Sequence, residues 1–117
     1  MNQQEMKTRT KQYAKRIIKL CRSLPENIEG RKINDQLFRA GTSVGANYRA
    51  ACRARSKAEF ISKLGIVLEE ADECLYWLEI VFETKLIHPS LLESIMKEGN
   101  EIIAILVSSI NTSKRTT

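Results

Sequence analysis

The sequence predicts an all-α protein, an antiparallel up-down-up-down four-helix bundle. Apolar residues recur at three- and four-residue steps through most of the chain, which is the period of amphipathic helices. Turn-forming residues are scarce, with two prolines and five glycines among 117 residues. The stretches between the periodic segments are short, which makes consecutive helices antiparallel neighbours. A chain of this length is expected to form a single domain over residues 1–117.

The first two helices are predicted at about residues 3–23 and 31–54. The first has an apolar stripe that includes Tyr13 and Ile17, and a proline ends it. The second contains Gly41 and Gly45, and a glycine inside a helix costs about 1 kcal/mol relative to alanine. Close approach of a neighbouring helix would offset that cost, so we expect tight packing at these two positions.

The other two helices are predicted at about residues 56–87 and 89–111, followed by a polar tail at 112–117 that frays. Ser56 and Glu59 have the Ser-x-x-Glu spacing of a capping box, placed directly before an apolar run. The third helix is apolar around much of its circumference, which predicts burial on two sides.

Composition excludes several classes of protein. No apolar run approaches the 18 or so residues that a membrane span needs, and the N-terminus lacks the apolar core of a signal peptide. The three cysteines, Cys21, Cys52 and Cys74, are odd in number and have no metal-site spacing, so plain thiols in a reducing cytoplasm are expected. No membrane partner and no small-molecule substrate are predicted.

Charge divides the chain into two unlike halves. Residues 1–57 hold 14 Lys and Arg against 4 Asp and Glu, a balance of +10, whereas residues 58–117 hold 5 against 10, a balance of −5. This asymmetry indicates either an anionic partner or pairing of basic with acidic helices. The candidates for contact with nucleic-acid phosphates are Lys7, Lys11, Lys15, Lys19, Arg39, Arg49, Arg53, Arg55 and Lys57.

No catalytic, metal or cofactor site is predicted. His88 is the only histidine, and no orienting group accompanies it as a nucleophile–base pair would require. The acidic cluster at residues 69–73 lacks the Glu-x-x-His pairs of di-iron bundles and is expected on a solvated or salt-bridged face. The glycines at 41 and 45 lack the Gly-Lys-Ser/Thr ending of a phosphate-binding loop.

Several large apolar residues are expected on outer helix faces, where they indicate a subunit interface. Tryptophan is enriched among the residues that dominate interface energy, so Trp77 is the expected anchor. The interface candidates are Phe38, Ile66, Tyr76, Trp77 and Ile80.

Helices 2 and 3 contain three distinctive stretches, which read QLFRAGTSVGAN at residues 36–47, RSKAEF at 55–60 and LGIVLEE at 64–70. In these stretches the chain resembles the four-helix bundle family whose founding members are encoded by intervening sequences inside bacterial 23S rRNA genes, and helices 1 and 4 share its pattern. Many family members have Asn-Ile-Ala-Glu-Gly where residues 47–51 read NYRAA, which makes this surface more basic. The resemblance implies a closed bundle, often a ring-shaped homopentamer, with no known enzymatic activity. It also implies a role at RNA, and similar bundles are nucleic-acid-binding accessory proteins of diversity-generating retroelements.

Two functional hypotheses follow. In the first, the protein is a non-enzymatic oligomeric bundle that binds RNA or another nucleic acid through its basic half. In the second, it is an oligomeric scaffold or adaptor for other proteins, and its basic residues pair with acidic helices.

Overall fold

The computed structural model describes residues 1–116, and within that range the chain is helical with no β-strand. Its four α-helices are α1 (Gln3–Cys21), α2 (Ile28–Cys52), α3 (Lys57–Glu83) and α4 (Glu93–Arg115), with one 3-10 turn at Pro89–Leu91. They form an elongated bundle of 49 × 21 × 19 Å. The all-α class predicted from the sequence is therefore confirmed.

Contacts between helices establish their directions. The facing pairs are Thr10 with Gly45 and Ile17 with Gly41 for α1 and α2, Arg9 with Glu98 and Arg16 with Ser94 for α1 and α4, and Leu75 with Gly99 and Lys57 with Thr116 for α3 and α4. In each case the residue number rises along one helix as it falls along the other. These helices are antiparallel, and the short connection at residues 53–56 sets α3 against α2 in the same way.

Side-chain caps determine where the helices begin. Asn2 and Glu5 form a complete capping box at α1, and the Asn27 carboxamide accepts from the Gly30 amide at 2.8 Å at the start of α2. Since Asn27 provides that cap, α2 begins at Ile28, three residues earlier than predicted. Ser56 caps α3 as expected, since its side chain accepts from the Glu59 amide. The Glu59 carboxylate, however, lies 3.4 Å from the Lys63 amine, so only the Ser56 half of the predicted capping box is formed.

The helix ends also differ from the sequence-based bounds. α1 and α2 each end two residues early, and α3 ends at Glu83 because Lys85 adopts a left-handed conformation with φ of 57°. The segment predicted to start helix 4 is a 3-10 turn, and α4 itself runs from Glu93 to Arg115. Residues 112–115 of the predicted tail are thus helical, and residue 117 lies outside the described residues.

The two glycines of α2 allow α1 and α2 to pack tightly. A Cβ at Gly41 would lie 2.6 Å from Ile17 Cγ2, and one at Gly45 would lie 3.2 Å from the Thr10 carbonyl oxygen. Ile17 and Thr10 are both fully buried. The close approach predicted from these glycines is therefore present, and it brings the outer faces of α1 and α2 side by side.

A buried polar contact lies at the centre of the bundle. The Tyr13 hydroxyl donates to Cys74 Sγ at 3.3 Å, and both side chains are almost fully buried. Burial raises the pKa of the Cys74 thiol to about 12, so the thiol stays protonated near neutral pH and behaves as a small core side chain.

Candidate nucleic-acid interface

A basic groove runs along the surface between α1 and α2. One part has a volume of about 360 Å³ and is lined by Gln4, Lys7, Thr8, Lys11, Arg49 and Arg53. A second part of about 180 Å³ shares Lys7, Lys11 and Arg49 with the first and adds Ala14, Thr42, Gly45 and Ala46. We call these residues together the α1–α2 groove. Four cations line it and no carboxylate does.

Local sequence explains the shape of the groove. Lys7 and Lys11 stand one turn apart on α1, because residues four apart share a helix face. Arg49 lies in the last turn of α2, and Arg53 follows one turn later as the C-cap residue of that helix. Gly45 and the alanines between the two walls are small, so the floor is low and the cationic side chains form both rims. The basic positions were predicted from the sequence, but Gly45 was interpreted only as a site of tight helix packing.

The groove cations differ from Arg9 and Arg39, two other arginines of the basic half, in their pairing. Arg9 bridges Glu98 at 2.6 Å and Glu101 at 2.9 Å, and Arg39 bridges Glu70 at 3.0 Å and also pairs with Glu73. Within residues 1–116, none of the four groove cations makes an ion pair with a carboxylate. Folding therefore neutralises the charges of Arg9 and Arg39, and it leaves the positive charges of the groove without a carboxylate partner.

Arg39 lies apart from the other candidate phosphate contacts because α3 engages its guanidinium. Its hydrogen bond to Glu73 raises the pKa of Arg39 and lowers the pKa of Glu73, as expected for a charge-assisted pair. Its place between α2 and α3 corresponds to the internal pairing of basic and acidic helices that was the alternative explanation of the charge asymmetry. Arg9 was not singled out from the sequence, since its partners lie almost ninety positions away.

The remaining basic candidates lie outside the groove. Lys15 and Lys19 are exposed on α1, but each four-residue step turns a side chain by about 40° around the helix, so they rotate away from the line of Lys7 and Lys11. Arg55 is exposed in the connection before α3, and the Lys57 amine donates to the Thr116 carbonyl. Arg55 and Lys57 are therefore not part of the groove.

Other parts of the described structure hold no assembled chemistry. His88 Nδ1 lies 2.8 Å from Ser90 Oγ and also accepts from the Ser90 amide, on the surface at the start of the 3-10 turn. This contact caps the turn, and no third group orients it. No cluster of metal-ligating side chains occurs within residues 1–116. A depression of about 540 Å³ between the start of α1 and the end of α4 has Tyr48, Phe60 and Ile105 among its lining residues, with no acid, histidine or cysteine.

The predicted interface residues divide into two groups. Phe38, Ile66 and Tyr76 are 44%, 49% and 52% exposed. Trp77 and Ile80 are half-buried and pack partly against the core. Trp77 Nε1 also donates to Glu73 at 3.3 Å, and its ring meets that of Tyr76 edge-to-face at 5.1 Å. Packing against the core is therefore one reason why a large apolar residue occupies position 77.

None of the helices in residues 1–116 combines the length and apolar character needed to cross a membrane. Residues 2–108 match the family model described as 23S rRNA-intervening sequence protein. Among solved structures, the chain is similar to the crystal structure of a protein with unknown function from the S23 ribosomal protein family of Bacteroides thetaiotaomicron VPI-5482. The two are 39% identical with a TM-score of 0.87, over 95% of this chain and 99% of that one. The comparison with curated proteins gives no match.

Proposed function

Because the chain belongs to the 23S rRNA-intervening sequence protein family, we propose that it is a non-catalytic nucleic-acid-binding protein, with RNA as its foremost ligand. The site is the α1–α2 groove. This assignment selects Lys7, Lys11, Arg49 and Arg53 from the wider set of basic residues and leaves Arg39 in a structural role.

The convergence of four cations without carboxylate partners on one groove carries the proposal. A basic helix that exists to pair with acidic neighbours places its charges against them, as Arg39 does with Glu70 and Glu73. The groove cations face outward over a floor of small residues with no carboxylate on either rim. Like charges one turn apart are mildly unfavourable, and binding of an anion would remove that repulsion.

The groove is suited to a phosphate backbone. Cations on each rim stand about 6 Å apart along the helix axis, so successive phosphates of one strand can each meet a lysine or an arginine. Besides the four cations, the lining offers only Gln4, Thr8 and Thr42 as polar side chains, and phosphate contacts alone carry no sequence information. We therefore expect binding that depends strongly on salt and weakly on sequence.

Salt titration tests the proposal. Four neutralised phosphates on a single strand correspond to a slope of about 3 in log K against log salt, or about 50-fold weaker binding between 50 and 200 mM salt. Fluorescence anisotropy with labelled RNA would measure this slope. The double variant Arg49→Ala/Arg53→Ala should lower the slope by about 1.4, since two contacts are lost.

Arg39→Ala is the matched control, because it removes one positive charge from the same helix outside the groove. We expect it to leave the slope nearly unchanged. If Arg39→Ala weakens binding as much as Arg49→Ala, overall charge and not the groove governs binding. Absence of binding at 50 mM salt would refute the proposal altogether.

We further propose that the protein is a homo-oligomer, with the outer face of α3 as the subunit contact and a pentamer as the expected assembly. Ile66, Tyr76, Trp77 and Ile80 share one side of α3 within about 100° of arc, and the first two are about half exposed.

The odd number of cysteines, none of them in a disulfide within residues 1–116, supports a reducing cytoplasmic location.

Light scattering tests the assembly. Ile66→Glu and Tyr76→Glu should dissociate it while circular dichroism shows that each bundle stays folded. These positions are better probes than Trp77, whose contact with the core would confuse dissociation with unfolding. Val107→Glu, at a residue 40% exposed on α4, is the control. An assembly that persists in both α3 variants would move the contact elsewhere, and an assembly without nucleic-acid binding would favour the protein scaffold.

A further inference from the structure

An exposed aromatic ring lies one turn beyond the end of the α1–α2 groove. Thr42 lines the groove, and its hydroxyl donates to the Phe38 carbonyl at 2.8 Å, one turn earlier on α2. Phe38, Thr42 and Arg49 are separated by four and seven residues, so their side chains share one helix face within about 40°. Phe38 is 44% exposed, and its helix position continues the line of groove residues along α2.

We propose that Phe38 is a stacking platform for an unpaired nucleobase, which makes single-stranded nucleic acid the preferred ligand of the groove. This inference rests on the proposed function and adds the conformation of the ligand. Phe38 lies about 16 Å from Arg49 along the helix axis. A strand whose phosphates follow the groove would then bring one of its bases over the ring.

Base stacking favours single strands for a physical reason. In a duplex each base is covered by its neighbours, so an aromatic side chain beside the backbone has no base face to contact. In a single strand the bases can turn outward, and stacking on an aromatic side chain stabilises binding irrespective of sequence. A cationic groove with an exposed ring in line with it is the arrangement found in proteins that bind single strands.

The position of Phe38 separates it from the proposed subunit contact on α3. Its neighbour Arg39 reaches Glu70 and Glu73 on α3, and adjacent side chains on a helix point about 100° apart. Phe38 therefore lies toward the α1 side of α2, with the groove residues. The sequence grouped Phe38 with Ile66 and Tyr76 as apolar outer residues, and the helix geometry groups it with Arg49.

Anisotropy measurements with three probes of equal length test this inference. The probes are a labelled RNA strand of about 12 nucleotides, within the site sizes of single-strand-binding proteins, the same strand in a duplex, and a strand of the same backbone without bases. The variants are Phe38→Ala, Phe38→Leu and Phe38→Trp, where leucine keeps the apolar character and tryptophan keeps the stacking surface. Val107→Ala, on α4, is the control for loss of an exposed apolar side chain outside the groove and the proposed subunit contact.

We expect Phe38→Ala and Phe38→Leu to weaken binding of the RNA strand about tenfold or more, the effect of losing one stacked base. Phe38→Trp and Val107→Ala should bind as the unchanged protein does, and the strand without bases should bind every variant equally. A Phe38→Leu variant with full affinity, or with equal losses on both single strands, would overturn the stacking role and leave the groove proposal standing. Dissociation of the oligomer by Phe38→Leu would reassign Phe38 to the subunit contact. If no probe binds the unchanged protein, the groove proposal and the stacking role both fail.

Discussion

Replacement of Gly41 by alanine tests the packing that builds the groove. The added methyl group would lie 2.6, 2.8 and 2.9 Å from three carbons of Ile17, including its Cβ. These carbons are the Cβ and the two γ carbons of a buried, β-branched side chain. Rotation about the outer bond of the side chain therefore cannot move them away from the new methyl group. α1 and α2 must therefore separate, or Ile17 must shift within the core.

Two opposing terms set the size of the effect. Alanine is favoured over glycine in a helix interior by about 1 kcal/mol, whereas overpacking a core costs about 1–3 kcal/mol and sometimes more. We expect Gly41→Ala to lower the free energy of unfolding by about 1 kcal/mol, with the upper end near 2. Gly65 supplies a matched control, since no atom lies within 4 Å of a Cβ placed there. Gly65→Ala should stabilise the protein by about 0.5–1 kcal/mol.

Urea unfolding monitored by circular dichroism would measure both variants. A double-mutant cycle with Ile17→Ala isolates the contact, because that change removes the two γ carbons closest to the new methyl group. Gly41→Ala should cost less in the Ile17→Ala background, with a coupling of about 1 kcal/mol or more. If Gly41→Ala and Gly65→Ala stabilise the protein equally, the helices adjust without cost and the proposed reason for the glycine is wrong.

Three further predictions concern a cap, an ion pair and the thiols. Asn27→Ala should lower the free energy of unfolding by about 1 kcal/mol in urea titrations, and an unchanged value would mean that the Asn27 cap is dispensable. The hydrogen bond from Arg9 lowers the pKa of Glu98, so its stabilisation is complete above the ordinary value of about 4.3 and is lost as pH falls through the lower folded value. Glu98→Gln should therefore flatten the pH dependence of unfolding between about pH 2 and 5, and an identical pH profile would contradict this role. A thiol reagent should label half-buried Cys52 in the native state well before buried Cys74, as mass spectrometry of timed samples would show; equal labelling rates would show that the core opens readily.

Short-range patterns explain why much of the fold could be predicted. The Ser56 cap, the stripe containing Tyr13 and Ile17, and the interior glycines each depend on residues within a few positions of one another. The start of α2 was missed, although Asn27 directly before Ile28 and Glu29 in the first turn are signals that could have revealed it. The left-handed Lys85 has no such signal, because lysine is not a residue that favours this conformation.

The candidate site could be predicted only in part, because pairing between distant residues decides it. Composition identified the basic half, but it could not separate Arg39, which α3 neutralises, from Arg49, which faces the groove. The partners of Arg9 on α4 are equally invisible to periodicity. The burial of Trp77 depends on the rotation of α3 about its own axis. Because α3 is apolar on two sides, its sequence pattern does not determine that rotation.

The four positive charges on the two rims of the α1–α2 groove affect the stability of the folded protein. Their mutual repulsion acts against the folded state and weakens as salt rises, while any ligand that binds only the folded chain adds to its stability. Melting temperature would then serve as a label-free measure of groove occupancy. Protein purified at low salt with bound nucleic acid should melt higher than the same protein after nuclease treatment.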